Sequence, residues 1–240
     1  MLPKLTVPTY EVTLPSNGKK VKIRPFLVKE EKLLLMAIES NDNLEIIKTT
    51  IDIIQDCIMT KGIKVGDLPF FDVDYLFIAL RAKSVGESID VKFQCNAVNE
   101  NRMICGNEFK STIDISNCAI RKNDAIGVTV DLGQGLSVTL HYPTYAEMRM
   151  ANENVEENAF DLTVLSMCID MMVQGEKVYT RKDFETEIGE FLGNLTKDQY
   201  SRLVKWVENL PTFYVKAEAK CDKCGFDHKL EYTEFESFFA

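Results

Sequence analysis

Two cysteines, Cys221 and Cys224, stand two residues apart in VKAEAKCDKCGFDHKLEY and are followed by Gly225. That spacing suits a tetrahedral metal site, because a short turn brings both thiolates to one side and its backbone N–H groups can bond the sulfurs. A closed structural site needs four ligands. The other two are expected from CNAVNENRMICGNEF, where Cys95 and Cys105 frame a wider loop that also ends in Cys-Gly. The reading is a shared four-thiolate zinc site made of Cys95, Cys105, Cys221 and Cys224. Two other readings stand beside it. Cys221 and Cys224 form a thioredoxin-like redox pair, although such a pair opens a helix and here alternating strand patterns flank the motif. Alternatively, Cys95 and Cys105 are ordinary loop thiols. His228 is a substitute ligand or, as the alternation suggests, an exposed strand residue. Cys57 and Cys168 fall on apolar helical stretches as buried free thiols, and Cys118 has no evident partner.

Other chemistry finds little support. The chain has two histidines, His141 and His228, neither in a triad-like or metal-ligand spacing. The glycine-containing runs GDLPFFDV and LGQGLSV lack the ending and the strand-to-helix setting of a phosphate loop. Carboxylates such as Asp72, Asp74, Glu153, Glu156 and Glu157 read as helix surface. The 240 residues carry a net charge of −9. Residues 1–120 hold 15 basic and 16 acidic side chains, and residues 121–240 hold 13 and 21. An acidic second half lacks the basic footprint of a general nucleic-acid binder. Lys220, Lys223 and Lys229 near the cysteines are offset by Asp222, Asp227 and Glu231. No apolar run approaches a membrane span, and the N-terminus lacks the apolar core of a signal peptide. Seven cysteines fit reduced thiols, and residence in cytoplasm is expected.

The elements that must position the cysteines repeat. VTLPSNGKKVKIRPFLVKEEKLL (12–34) and VTVDLGQGLSVTLHYPTYAEMRM (128–150) each read as strand, glycine turn, strand, proline and helix start. Leu44, Ile47, Ile51, Ile54 and Ile58 step by three and four along one helical face, and Leu162, Leu165, Ile169 and Met172 repeat the rhythm. The helix at 73–84 answers one at 198–209, which Thr196 and Gln199 open as a capping box, with Leu195 and Tyr200 as a staple. Residues 180–193 read as an inserted short helix. Each half then ends in a strand leading to cysteine, Cys95 or Cys221. The fold expected is α+β and internally duplicated, each half a β-hairpin, helices and a zinc-ribbon-like cysteine-bearing β segment. The halves are 1–120 and 121–240.

The phrases LPSNGKKVKIRPFLVKEEKLLLMA and AKSVGESIDVKFQC, with the Cys-Gly loops, resemble the baseplate proteins of T-even-type tailed phages, more narrowly their hub assembly subunit or chaperone. The resemblance is strongest over 10–120. It implies a non-enzymatic component or chaperone of the baseplate hub, acting by binding other hub proteins and open to oligomerisation. It places the protein in host cytoplasm during assembly and leaves open whether it stays in the virion's tail baseplate. Candidate contacts are the basic hairpin of Lys19, Lys20, Lys22 and Arg24 and the C-terminal aromatics Phe235, Phe238 and Phe239. The alternatives are a zinc-ribbon nucleic-acid factor and a thiol oxidoreductase.

Overall fold

A computed structural model describes residues 6–40, 42–98, 102–123, 126–154 and 160–233. Phe235, Phe238 and Phe239 lie outside the described residues, as do Glu156 and Glu157. The architecture is mixed α and β with small antiparallel sheets. The chain forms two compact units. The first takes in the described residues of 1–65, 71–120 and 213–240, and the second those of 66–70 and 121–212. The ribbon that ends the sequence's second half therefore belongs to the first unit.

In the first unit, β1 (Tyr10–Thr13) pairs with β2 (Lys20–Ile23) across a turn in which Gly18 takes a φ of 71°. Val21 and Ile23 point inward, while Lys20 and Lys22 face solvent. Helix α1 (Val28–Ser40) starts where the carboxylate of Glu30 accepts from the Leu27 N–H and from both terminal nitrogens of Arg24. Helix α2 (Asn43–Cys57) is capped by Asp42, which accepts from the N–H groups of Leu44 and Glu45. Its buried side is Thr50, Ile53, Ile54 and Cys57. Of the face expected from sequence, Ile54 is buried, Ile47 and Ile51 are half-buried, Leu44 is exposed and Ile58 follows the helix end. The stripe is turned by about one residue, because Thr50 buries without reading as apolar, returning its hydroxyl to the Ile46 carbonyl, and Cys57 continues its side.

Helix α3 (Phe70–Ser84) is buried on most sides, taking in Phe71, Leu76, Phe77, Ile78 and Leu80 together with the charged Asp72, Asp74 and Arg81. A helix so buried carries no single stripe. Its buried Asp72 accepts from the backbone N–H and hydroxyl of Ser16, tying the β1–β2 turn to it. Strands β3 (Ser88–Gln94) and β4 (Glu108–Asp114) pair in register from Ser88↔Asp114 to Gln94↔Glu108, with Ile89, Phe93, Phe109 and Ile113 inward. Strand β5 (Ala119–Arg121) flanks β10 (Thr212–Lys220), whose other neighbour is β11 (Asp227–Tyr232). Strand β10 alternates strictly, with Phe213, Val215, Ala217 and Ala219 buried.

The second unit is a meander of β6 (Thr129–Gly133), β7 (Leu136–Leu140), β8 (Ile169–Gln174) and β9 (Lys177–Thr180), with five α-helices among the described residues. These are α4 (Tyr145–Asn154), α5 (Phe160–Cys168), α6 (Arg181–Phe184), α7 (Ile188–Gly193) and α8 (Lys197–Glu208). The capping box of Thr196 and Gln199 opens α8 as the sequence predicts. The segment 180–193, expected as one short helix, forms two, α6 and α7. The helical rhythm through Ile169 and Met172 is corrected: α5 stops at Cys168 and Ile169 begins a strand. A bulge explains the deception. Leu140 pairs with Ile169 and Thr139 with Met171, so the extra residue Asp170 lets Ile169 and Met172 both face the core three residues apart. Val138, Leu140, Leu165, Leu203 and Trp206 complete that core. Among the described residues, no helix is long and apolar enough to cross a membrane.

Candidate metal centre

Two hairpins of the first unit build the site. The β3–β4 pair closes through the Cys95 N–H bonding the Asn107 carbonyl, and the β10–β11 pair through the Cys221 N–H bonding the Phe226 carbonyl. Each first cysteine then folds its carbonyl back onto a glycine: the Gly106 N–H donates to Cys95 and the Gly225 N–H to Cys221, both at 2.9 Å. Both glycines need positive φ, 62° and 72°, which a side chain disfavours. The turns are therefore the same knuckle. The wide loop is a knuckle interrupted after Ala97. The Cys105 N–H donates to the Ala97 carbonyl and closes the base of the interruption, so Cys105 arrives where a tight loop would have placed it.

The outcome is a cluster in which the sulfurs of Cys95, Cys105, Cys221 and Cys224 all lie within 4.8 Å of one another. A tetrahedron with zinc–sulfur bonds of about 2.3 Å has edges of about 3.8 Å. The Cys95–Cys224 separation is 3.5 Å. The donor set thus fits a closed zinc site with no open position.

Electrostatics distinguish the thiols. Cys221 is held down to about 6, first by the Cys224 N–H and also by that of Lys223, both directed at its sulfur and working against burial. Burial pushes Cys95 up to about 12, although the Ala97 N–H is directed at its sulfur. The Phe226 N–H serves Cys224 likewise. Cys95 and Cys221 are buried, Cys105 is intermediate and Cys224 is exposed. Cys57, Cys118 and Cys168 lie outside the cluster. Cys57 and Cys168 are buried, and burial raises Cys57 and Cys118 to about 11, so they are inert as nucleophiles at neutral pH.

His228 is not the exposed strand residue that the alternation suggested. It occupies the inward register of β11 opposite Ala219, and its Nε2 lies 3.2 Å from the Cys95 sulfur. Its ring packs against Phe109 and Phe226, with centroids 5.8 and 4.8 Å away.

The chain matches the family model described as T4 bacteriophage base plate protein over residues 7–240. It belongs to that family. No curated protein and no solved structure matches this base plate protein significantly.

In the second unit of the base plate protein, a polar cluster escaped the sequence reading. His141 Nδ1 lies 2.8 Å from Asp170, and Nε2 lies 3.2 Å from both oxygens of Glu147. Glu147 also accepts from the backbone and hydroxyl of Thr144, whose oxygen receives the Glu147 N–H in return. The signal available was Thr144-x-x-Glu147, a capping box three residues beyond His141. Asp170 joins through the β8 bulge, which no spacing rule announces. Glu147 raises His141 above its ordinary value, burial opposes this, and Asp170 adds to it. Burial also works against ionised Glu147, but His141 and Thr144 hold it down to about 2.

Proposed function

We propose that this base plate protein is a non-enzymatic component or assembly chaperone of the baseplate hub, acting by protein–protein binding, with Cys95, Cys105, Cys221 and Cys224 holding a structural zinc. Family membership over nearly the whole chain supports a base plate role, and the likeness of residues 10–120 to hub assembly proteins supports the narrower one. The four convergent thiols support the zinc. The partners in this reading are other hub proteins, met in host cytoplasm, and self-association is compatible with it. Exposed Lys19, Lys20 and Lys22 on the β1–β2 hairpin offer a basic contact surface. The common knuckle, and the shared order of hairpin, helices and ribbon in 1–120 and 121–240, support a duplicated plan.

The nucleic-acid reading is disfavoured by register. Lys220 stands opposite Asp227, Lys229 opposite Glu218 and Lys216 opposite Glu231, so the ribbon's charges cancel pair by pair. A thiol oxidoreductase is disfavoured by strands on both sides of Cys221 and Cys224. Co-expression with hub proteins of the same phage, followed by affinity purification and metal analysis, tests the proposal. One zinc per chain and a stoichiometric hub partner are expected. A protein that carries no zinc and turns over disulfide substrates would replace this reading with the redox one.

A further inference from the structure

Four thiolates around a divalent ion leave a net charge of −2, and two of the four sulfurs are buried. Buried charge is costly unless hydrogen-bond donors meet it. Backbone N–H groups supply part of this. Two side chains add to it, and they do so crosswise. His228, on β11 of the second hairpin, reaches Cys95 of the first. Asn107, just beyond Cys105-Gly106 in the first hairpin, places its Nδ2 3.6 Å from the Cys221 sulfur of the second and also donates to Asp222. Each hairpin thus grips the buried sulfur of the other, and the more exposed sulfurs of Cys105 and Cys224 receive neither group.

We infer that His228 and Asn107 are a reciprocal pair of positioning residues for the metal centre, donating N–H bonds to the buried thiolates and setting how slowly the site gives up its ion. The inference rests on the zinc reading above. A metal-bound thiolate carries no hydrogen, so the hydrogen of this contact belongs to Nε2 of His228. Phe109 and Phe226 hold the ring in place. Packing between them needs a flat apolar ring; the nitrogen serves the sulfur. Second-sphere donors of this kind change metal affinity by roughly 10- to 100-fold when removed.

The test uses the full chain loaded with zinc or cobalt(II). His228→Phe keeps the ring and removes the donor; His228→Gln keeps a donor of similar reach. Zinc transfer to excess chromogenic chelator is expected to be roughly tenfold faster in His228→Phe and near the wild-type rate in His228→Gln. The sulfur-to-cobalt charge-transfer band is expected to move to longer wavelength in His228→Phe, because a thiolate without its donor gives up an electron more readily. Asn107→Leu should shift both readouts the same way by less, since Cys221 keeps two backbone donors. If His228→Phe does not fold, His228→Gln against His228→Asn reads the same contrast, because Asn is too short to reach Cys95. Wild-type release rate and an unmoved band in the donor-less variant, with metal bound, would overturn this inference alone. A wild-type chain that takes up neither ion would overturn the zinc reading as well.

Discussion

At the scale of single residues, the seven cysteines divide by what surrounds them. Cys221 has backbone N–H groups aimed at its sulfur, whereas burial raises the Cys57 thiol to about 11. Substitution should divide them the same way. In the proposed zinc reading, Cys221→Ser and Cys95→Ser are expected to lose the ion and lower the melting temperature, because each would remove one of four ligands. Cys118→Ser should retain one zinc per chain. Metal analysis of the three purified proteins, together with thermal unfolding, checks this. Full zinc in Cys95→Ser would confine the site to other ligands. Cys221 and Cys224 were legible because a two-residue spacing has few other uses between strands. The role of His228 was not, because an imidazole at an alternating position has the same letter whether the strand face is dry or wet.

At the scale of elements, the bulge in β8 decides what the second unit's polar cluster is. Without the extra residue, Asp170 would not stand beside His141, and Ile169 and Met172 would lie on opposite faces. The cluster ties the end of β7, the start of α4 and β8 through one imidazole. Its contribution to stability follows from two shifts of opposite sign. His141 is raised in the folded protein, so its contribution is complete below the ordinary value near 6.5 and is lost as pH rises through the higher folded value. Glu147 is lowered to about 2 from 4.5, so its contribution is complete above 4.5 and is lost as pH falls towards 2. The two describe one linkage, which is strongest between about pH 4.5 and 6.5. Replacing His141 by Gln should therefore reduce unfolding free energy most in that window and progressively less as pH falls well below it towards 2 or rises well above it. The maximum effect should be at most about 1 kcal/mol, since the His141 and Glu147 side chains are 32% and 25% exposed and so screened. Urea unfolding of both proteins from pH 3 to 9 measures it; a difference independent of pH would show that the imidazole acts by packing alone.

At the scale of the whole molecule, all four cysteines belong to the first compact unit, and the second has its own core around Val138, Leu140, Leu165 and Trp206. Chelation is therefore expected to act locally. Hydrogen exchange should accelerate in 88–94, 108–114, 213–220 and 227–232 and remain at its untreated rate in 129–140 and 169–174, because the proposed metal would join two hairpins that both belong to the first unit. Equal acceleration in both sets would show that the units unfold as one. The amino-acid order alone determined the hairpins, the capped α8, the cysteine pairs and the family, since each depends on residue types within a short window: turn glycines, a Thr-x-x-Gln box, strand alternation. Tertiary structure decided the rest. It sent 213–233 into the first unit, rotated the buried side of α2 onto Thr50, Ile53, Ile54 and Cys57, and bent β8 so that a strand carried helical spacing. It also set a histidine of one hairpin against a sulfur of the other. Those outcomes depend on which surfaces meet between segments distant along the chain, and a local pattern records the face an element offers without recording what covers it.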